Sequence, residues 1–157
     1  MNKQILLLAG ITFFTLASCS DDDSAATNNN NNSGTVAEVV NTATQGTWHI
    51  TSYIDSGNDE TAHFAGYNFT FGSGGALTAV NGTNSYTGAW SVTDSNSSDD
   101  DDSPSNDVDF NISFATPADF ADLTDDWDIQ ERTATKIKLV DVSGGNGGTD
   151  NLVFEKN

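Results

Sequence analysis

Cys19 is the residue whose chemistry stands out, because it is the only cysteine among 157 residues. A single thiol cannot build a disulfide framework within the chain. It follows an apolar segment, residues 5–16, which one positive charge, Lys3, precedes. About a dozen apolar residues are too few for a membrane-spanning helix, which takes about 20, but they suit the apolar part of a signal peptide. The sequence therefore predicts a signal peptide over residues 1–18, with cleavage before Cys19.

The four residues Leu16 to Cys19, with the letters LASC, resemble the lipobox of bacterial lipoproteins. The resemblance implies that the thiol of Cys19 carries a diacylglyceryl group, so that the membrane is a partner of the mature protein. Buried acyl chains contribute about 0.8 kcal/mol per methylene, and two or more chains anchor a protein stably. An ordinary secreted protein with a cysteine after its apolar segment is the alternative.

An acidic run follows the cysteine and consists of Ser20, Asp21, Asp22 and Asp23. It resembles the export signal of surface lipoproteins in the Bacteroidetes, which implies a place on the outer membrane, facing the cell exterior. A solvated acidic start to a linker is the other interpretation. Five consecutive asparagines, Asn28 to Asn32, then follow. Because this stretch cannot bury apolar surface, residues 19–34 are predicted to form an acidic, Asn-rich tether.

Residues 35–157 carry the pattern of one β-rich domain. Thr35 and Glu38 match a capping box, and apolar residues at helical spacing follow as far as Ala43. They predict a short N-terminal helix that ends near Gly46. Alternation of apolar and polar residues then indicates half-buried antiparallel strands. Eight strands are predicted, over residues 48–54, 67–71, 75–80, 86–93, 107–114, 126–132, 136–142 and 151–156. One helical turn is expected among them, at residues 117–123.

Eight short strands with one apolar face predict an all-β fold, an eight-stranded antiparallel up-and-down barrel that removes both sheet edges. A two-sheet β-sandwich is the alternative. Gly46-Thr47-Trp48 resembles the Gly-x-Trp that opens lipocalin-like domains. The resemblance implies a lipocalin-like barrel with the helix at its closed end and an open mouth opposite. Alternating strand directions would gather four loops at that mouth, residues 55–66, 82–85, 115–125 and 143–149.

The aromatic residues of the predicted strands suit a lining for an apolar pocket. Trp48 and Trp90 are predicted to border the barrel interior, as candidate contacts for a small apolar ligand. However, an eight-stranded barrel is only just wide enough for its own side chains to fill it. A packed core is therefore the favoured expectation, and Phe110 is predicted to lie inside it.

The net charge of −18 is the strongest feature of the composition, with 23 acidic residues against 5 basic ones. Such a surface repels nucleic acid and anionic lipid and favours cations or basic partners. Three acidic stretches offer the oxygen ligands that calcium takes, residues 94–102, 144–150 and the aspartates between 119 and 128. None completes a known calcium motif, and solvated loops are the alternative. No cofactor is predicted, although calcium stays open.

Enzymatic residues are hard to find in the chain. His49 and His63 have no partner at zinc-site spacing, and the chain contains no Gly-x-Ser-x-Gly elbow. Carboxylate pairs are too numerous for any one of them to be informative. The sequence therefore predicts a protein that is not an enzyme.

Two classes of function remain open. In the first, a membrane-anchored, surface-exposed lipoprotein holds a small apolar molecule in its barrel. In the second, the barrel is packed and serves as a structural or interaction module. That module would contact a protein, a glycan or calcium through the acidic loops at the end opposite the helix.

Overall fold

The computed structural model describes residues 34–94, 108–142 and 148–157. Its first element is helix α1, Val36–Ala43. Thr35 Oγ1 accepts a hydrogen bond from the Glu38 N–H at 3.4 Å, and Glu38 Oε2 accepts one from the Thr35 N–H at 2.9 Å. These two bonds satisfy amides that the first turn leaves without helical partners. The predicted capping box is confirmed, and Gly46, at a φ of 88°, turns the chain into the first strand.

One antiparallel sheet contains all nine strands of the described residues. Their bounds are β1 Trp48–Asp55, β2 Asn58–Asp59, β3 Asn68–Phe71, β4 Ala76–Val80, β5 Ser85–Asp94, β6 Val108–Ser113, β7 Asp125–Arg132, β8 Lys136–Asp141 and β9 Asp150–Lys156. Strand β9 pairs with β1, so eight strands close into a barrel, and the two-residue β2 adds a ninth at the end of β1. The predicted all-β, eight-stranded up-and-down barrel with a short N-terminal helix is confirmed. The sandwich is not formed, because one sheet closes on itself.

Period-two alternation places the apolar side chains inside the barrel. In β6, Val108, Phe110 and Ile112 are buried, while the residues between them are more exposed. The neighbouring strand β5 carries Trp90 in register with Ile112. The largest fully buried side chains of the domain are Trp48, Trp127, Phe64, Phe69, Phe71, Phe110, Phe120, Phe154, Leu77, Leu123, Ile137 and Leu139.

Helix α1 covers one end of the barrel, which we call the near end. Its Val39 and Ala43 are fully buried. The indole Nε1 of Trp48 donates to the Ala43 carbonyl at 2.8 Å, which satisfies a carbonyl that the helix leaves open at its C-terminus. Arg132, at the end of β7, donates from Nη1 to Thr42 Oγ1 at 3.0 Å. Both hydrogen bonds attach the C-terminal turn of the helix to the barrel.

Two short helices cover the opposite end, which we call the far end. The first cap is a 3₁₀ helix, Thr61–Phe64, between β2 and β3. The second cap is α2, Ala118–Ala121, between β6 and β7. The helical turn predicted at residues 117–123 is confirmed, whereas the first cap and β2 lie in a stretch that was predicted as a loop. Across the described ranges, no helix is long and apolar enough to cross a membrane.

Candidate functional site at the far end of the barrel

The far end is closed by aromatic side chains that the two caps carry. Phe64, from the first cap, and Phe120, from the second, are each 1% exposed. The Phe120 ring is the centre of the cluster, with ring centroids at 4.8–5.9 Å from those of Tyr86, Tyr67, Phe64, Phe114 and Phe69. Aromatic pairs at such distances stabilise a fold by about 0.5–1.5 kcal/mol each beyond the area they bury. The open mouth that the lipocalin-like resemblance implied is thus filled by the protein's own rings.

Threonine hydroxyls attach each cap to a strand of the barrel. Thr61 Oγ1 accepts a hydrogen bond from the Tyr53 N–H at 2.8 Å and lies 3.4 Å from the Tyr53 carbonyl. Thr124 Oγ1 makes the equivalent pair with Phe114, at 2.9 Å to its N–H and 3.1 Å to its carbonyl. In both places one hydroxyl bonds to the backbone N–H and to the backbone carbonyl of the same residue. None of the described strands supplies these bonds on that side of the residue. The caps therefore replace missing strand neighbours as well as covering the core.

Tyr53 links the barrel wall to the second cap. It is 2% exposed, and its hydroxyl donates to the Asp122 carbonyl at 2.8 Å. Burial raises the pKa of this phenol well above its usual value, and nearby carboxylates raise it further, with Asp55 the largest of them. The hydroxyl is consequently a protonated hydrogen-bond donor over the whole physiological pH range.

Negative charge is concentrated around these caps. Nine carboxylates lie on the far-end segments and strand ends, namely Asp55, Asp59, Glu60, Asp119, Asp122, Asp125, Asp126, Asp141 and Asp150. The four lysines and arginines of the described residues all lie elsewhere. His63 is the only basic type present, and its Nδ1 is 3.5 Å from Glu60 and 3.6 Å from Asp119. Because Glu60 precedes the first cap and Asp119 belongs to the second, the imidazole connects the two caps.

Three of the nine carboxylates lie on the inward-facing sides of their strands. Asp125 lies two residues before the buried Trp127 and therefore on the same face of β7. Asp141 is 4% exposed, and Asp150 pairs with Asp141 across β8 and β9. Like charges placed opposite one another in a sheet destabilise it. Burial raises the pKa of Asp125 to about 6, and the negative charges of Asp141 and Asp126 contribute to the rise. Asp125 thus changes its charge near neutral pH, a property common in functional sites and also found in structural clusters.

At the near end, basic and acidic side chains are mixed. Arg132, Lys136 and Lys156 stand where β7 ends, β8 begins and β9 ends. Arg132 lies 3.5 Å from Glu38, Lys136 lies 3.0 Å from Glu131, and the Lys156 ammonium sits 5.0 Å from the centre of the Trp48 ring. The basic groups at this end are therefore paired with carboxylates or an aromatic face. Among the described residues, the excess of negative over positive charge is therefore greater at the far end than at the near end.

Both candidate pocket residues lie inside the barrel toward its near end. Trp48 is fully buried, and its ring packs under the Lys156 ammonium. Trp90 is 6% exposed, donates from Nε1 to the Gly72 carbonyl at 2.9 Å, and packs against Phe71 and Phe110. The two tryptophans border the interior, as predicted. Each of them contacts protein groups that occupy the space beside it.

The remaining predicted site residues are only partly covered by the structure. Cys19 and the acidic run from Ser20 to Asp23 lie outside the described residues, as do residues 95–102 and 144–147 of two calcium candidates. The third candidate group is dispersed, because Asp119 lies in the second cap and Asp122 directly after it, while Asp126 and Asp128 point outward from β7. Within residues 34–94, 108–142 and 148–157, no three His, Cys, Asp or Glu side chains are placed to hold a metal ion.

Phe64, Phe120 and Tyr53 are the far-end residues that the sequence patterns missed. Phe64 and Phe120 lie between predicted strands, where an aromatic residue carries no alternation to reveal its burial. The available signal was the spacing of Phe120 and Leu123 behind Pro117, which matches one apolar helix face.

Comparison of the chain with known proteins finds no matching family model, no matching curated protein and no matching solved structure.

Proposed function

We propose that the mature chain is a lipoprotein of the outer membrane, anchored through lipid on Cys19 and exposed at the cell surface. In this proposal the barrel is a packed scaffold rather than a ligand container. It presents its acidic far end to a positively charged partner, a basic protein surface or a cation. Diffusion of such an anchored module is restricted to the membrane plane, which raises the rate at which it meets partners on the same surface.

The observation that carries the scaffold proposal is the filled interior. Trp48, Phe110 and Phe154 are fully buried in the body of the barrel, and Phe64 and Phe120 close its far end. An apolar ligand would need the space that these rings occupy, since protein interiors are packed as densely as organic crystals. The packed core therefore favours an interaction role at the outer surface over ligand storage.

The arrangement of chain and charge supports the far end as the contact surface. Gly34 lies beside the guanidinium of Arg132, so the tether enters the domain at the near end. Sixteen tether residues, 19–34, reach at most about 55 Å when fully extended. The far end, with its nine carboxylates, is the end of the barrel opposite the point where the tether enters. Clustered charge of one sign steers oppositely charged partners and speeds their association.

The anchor is tested by fractionation of cells that produce the full chain. Cys19→Ala should abolish acylation and release the protein from the membrane fraction. Replacing Asp21, Asp22 and Asp23 with alanine should keep the lipid but hide the protein from protease added to intact cells. Replacing Asn28, Asn29 and Asn30 with alanine is the matched control, because it alters the same tether without changing charge. Continued protease access in the aspartate variant would contradict the surface assignment.

The scaffold proposal is tested by native mass spectrometry of the mature lipoprotein extracted gently from its own cells. The expected mass is that of the acylated polypeptide alone, or of the polypeptide with cation adducts that a chelator removes. A further small organic molecule, retained natively and lost on denaturation, would overturn the scaffold and support a ligand-binding barrel.

The contact surface is tested by photo-crosslinking on intact cells. A photoreactive residue at Ala62 or Ala118, both exposed on the caps, should capture a partner. The same residue at the exposed Thr87, on the outer face of β5, is the control. Neutralising Asp119 and Asp122 as asparagines should weaken capture from Ala62. An equal crosslinking yield from Thr87 would contradict an acidic far-end contact. An unchanged yield from Ala62 after Asp119 and Asp122 are replaced would contradict it as well.

A further inference from the structure

The loop between β4 and β5 combines an unhindered backbone nucleophile with a side-chain amide. Asn81 is followed by Gly82, which is exposed and has a φ of 83°. A Cβ built on Gly82 would meet nothing within 4 Å, so the space around this residue is open. Within the described residues, no hydrogen bond engages the Gly82 N–H. The Gly82 nitrogen is therefore accessible as a nucleophile.

The side chain of Asn81 is held over the same turn. Its Oδ1 accepts hydrogen bonds from the Thr83 N–H at 3.3 Å and the Asn84 N–H at 2.9 Å. Two such donors polarise the side-chain carbonyl and stabilise negative charge that develops on Oδ1, as in an oxyanion hole. The backbone N–H of Asn81 donates to the Asn84 carbonyl at 3.1 Å, which keeps the loop compact.

We propose that Asn81 is a site of spontaneous deamidation in the folded protein. Hydroxide takes the Gly82 amide proton, the nitrogen attacks Cγ of Asn81, and the new N–Cγ bond closes a five-membered ring. The bond from Cγ to Nδ2 then breaks, Nδ2 takes a proton from water and leaves as ammonia, and hydroxide is regenerated beside the succinimide. Water then opens the ring. Cleavage of the N–Cγ bond produces aspartate, and cleavage at the main-chain carbonyl of residue 81 produces isoaspartate. The reaction consumes water, releases ammonia and needs no oxidant, reductant or enzyme.

Other asparagines of the barrel provide internal controls. Asn68 precedes Phe69 in β3, and Asn111 precedes Ile112 in β6. A bulky residue on the C-terminal side shields the attacking nitrogen, and strand pairing holds the backbone extended. These two residues should keep their amides under conditions in which Asn81 reacts.

The product adds one negative charge to the far end, where the β4–β5 loop lies next to the second cap. An aspartate at position 81 offers the same two N–H groups a charged acceptor, and charge-assisted hydrogen bonds are stronger than neutral ones. Isoaspartate instead lengthens the loop backbone by one atom. The proposal rests on the geometry of this loop alone and is independent of the proposed partner.

The test is ageing of the mature protein in mildly alkaline buffer, followed by protease digestion and mass spectrometry against an unaged sample. The Asn81 peptide is expected to convert to aspartate and isoaspartate forms, while the Asn68 and Asn111 peptides stay unchanged. Gly82→Ala should slow conversion strongly over the same incubation, because its Cβ hinders the attacking nitrogen. Asn81→Asp serves as a folded product standard. If Asn81 keeps its amide as long as Asn111 does, while an unfolded peptide of residues 78–87 reacts, the turn protects the side chain and the proposal is wrong.

Discussion

Phe64 and Phe120 meet edge to face at the far end of the barrel, with ring centroids 5.2 Å apart and planes inclined at 73°. The two residues are 56 positions apart and belong to different caps. Each cap alone is a single helical turn, too short to persist in water without packing. Their contact therefore makes the caps stabilise one another, and the far end closes as one unit.

Phe120→Ala should destabilise the domain by about 3–5 kcal/mol, the range for buried phenylalanine truncation. The Phe120 ring is 1% exposed and contacts five other rings, so its loss leaves an apolar cavity at the far end. Such cavities stay dry and bind benzene-sized molecules. Denaturant unfolding measures the loss, and benzene should raise the melting temperature of the variant but not of the unsubstituted protein.

Val142→Ala is the matched control for this cavity, because Val142 is 64% exposed and also loses only apolar atoms. Its stability should be nearly unchanged. If benzene stabilises the unsubstituted protein as well, the far end is not filled as described.

Phe110→Ala should also lower the free energy of unfolding by about 3–5 kcal/mol. Phe110 is fully buried on β6, with ring centroids 5.3 Å from Phe71 and 5.6 Å from Trp90. Thermal unfolding followed by circular dichroism provides the measurement. A melting temperature close to that of the unsubstituted chain would contradict the inward orientation of this strand face.

Gly88→Ala should destabilise the barrel by about 1–3 kcal/mol through overpacking. A Cβ at this position in β5 would meet the Ser113 carbonyl oxygen and come within 2.7 Å of the Phe114 ring. The absence of a side chain on Gly88 is thus what admits Phe114 to the interior. Gly74→Ala is the control, since nothing lies within 4 Å of its Cβ. Equal melting temperatures for the two variants would contradict this account.

Asp125 should make the protein less stable as the pH rises toward neutrality. In the unfolded chain its pKa is near 3.8, whereas burial raises it to about 6 in the folded protein. Below about pH 4 the carboxyl is protonated in both states, so the folded state bears no penalty. Between about pH 4 and 6 the unfolded chain releases a proton that the folded one retains, and the free energy of unfolding falls.

Asp125→Asn should accordingly raise the melting temperature above about pH 6 and leave it unchanged near pH 3, because the amide cannot ionise. Asp94→Asn, at the exposed end of β5, controls for the loss of one negative charge. A stabilisation that is equal in both variants at every pH would mean that net charge, not burial of Asp125, is responsible.

Local patterns in the sequence were sufficient for the architecture. Apolar residues at every second position, as at Val108, Phe110 and Ile112, indicate a strand, because successive side chains in a strand point to opposite faces. Thr35 and Glu38 indicate the start of a helix, because their capping hydrogen bonds join residues only three positions apart. Eight such strands with one apolar face leave few ways to bury it, so the sequence predicts a barrel with a sandwich as the alternative, and the pairing of β9 with β1 decides between them. The acidic composition is likewise a property of the sequence, and the signal peptide and the lipidation of Cys19 stay predictions from it.

Only the tertiary structure decided what closes the far end and where the charge lies. Phe64 shows no local period and Phe120 shares only a single helical spacing with Leu123, and their burial depends on a contact between segments that are distant in the chain. For Asp125 the sequence leaves a solvated loop as one interpretation, yet strand alternation turns both Asp125 and Asp141 toward the interior. These properties depend on distances across the barrel, which sequence spacing does not encode. The packed core, the closed mouth and the raised pKa of Asp125 all arise from such distances.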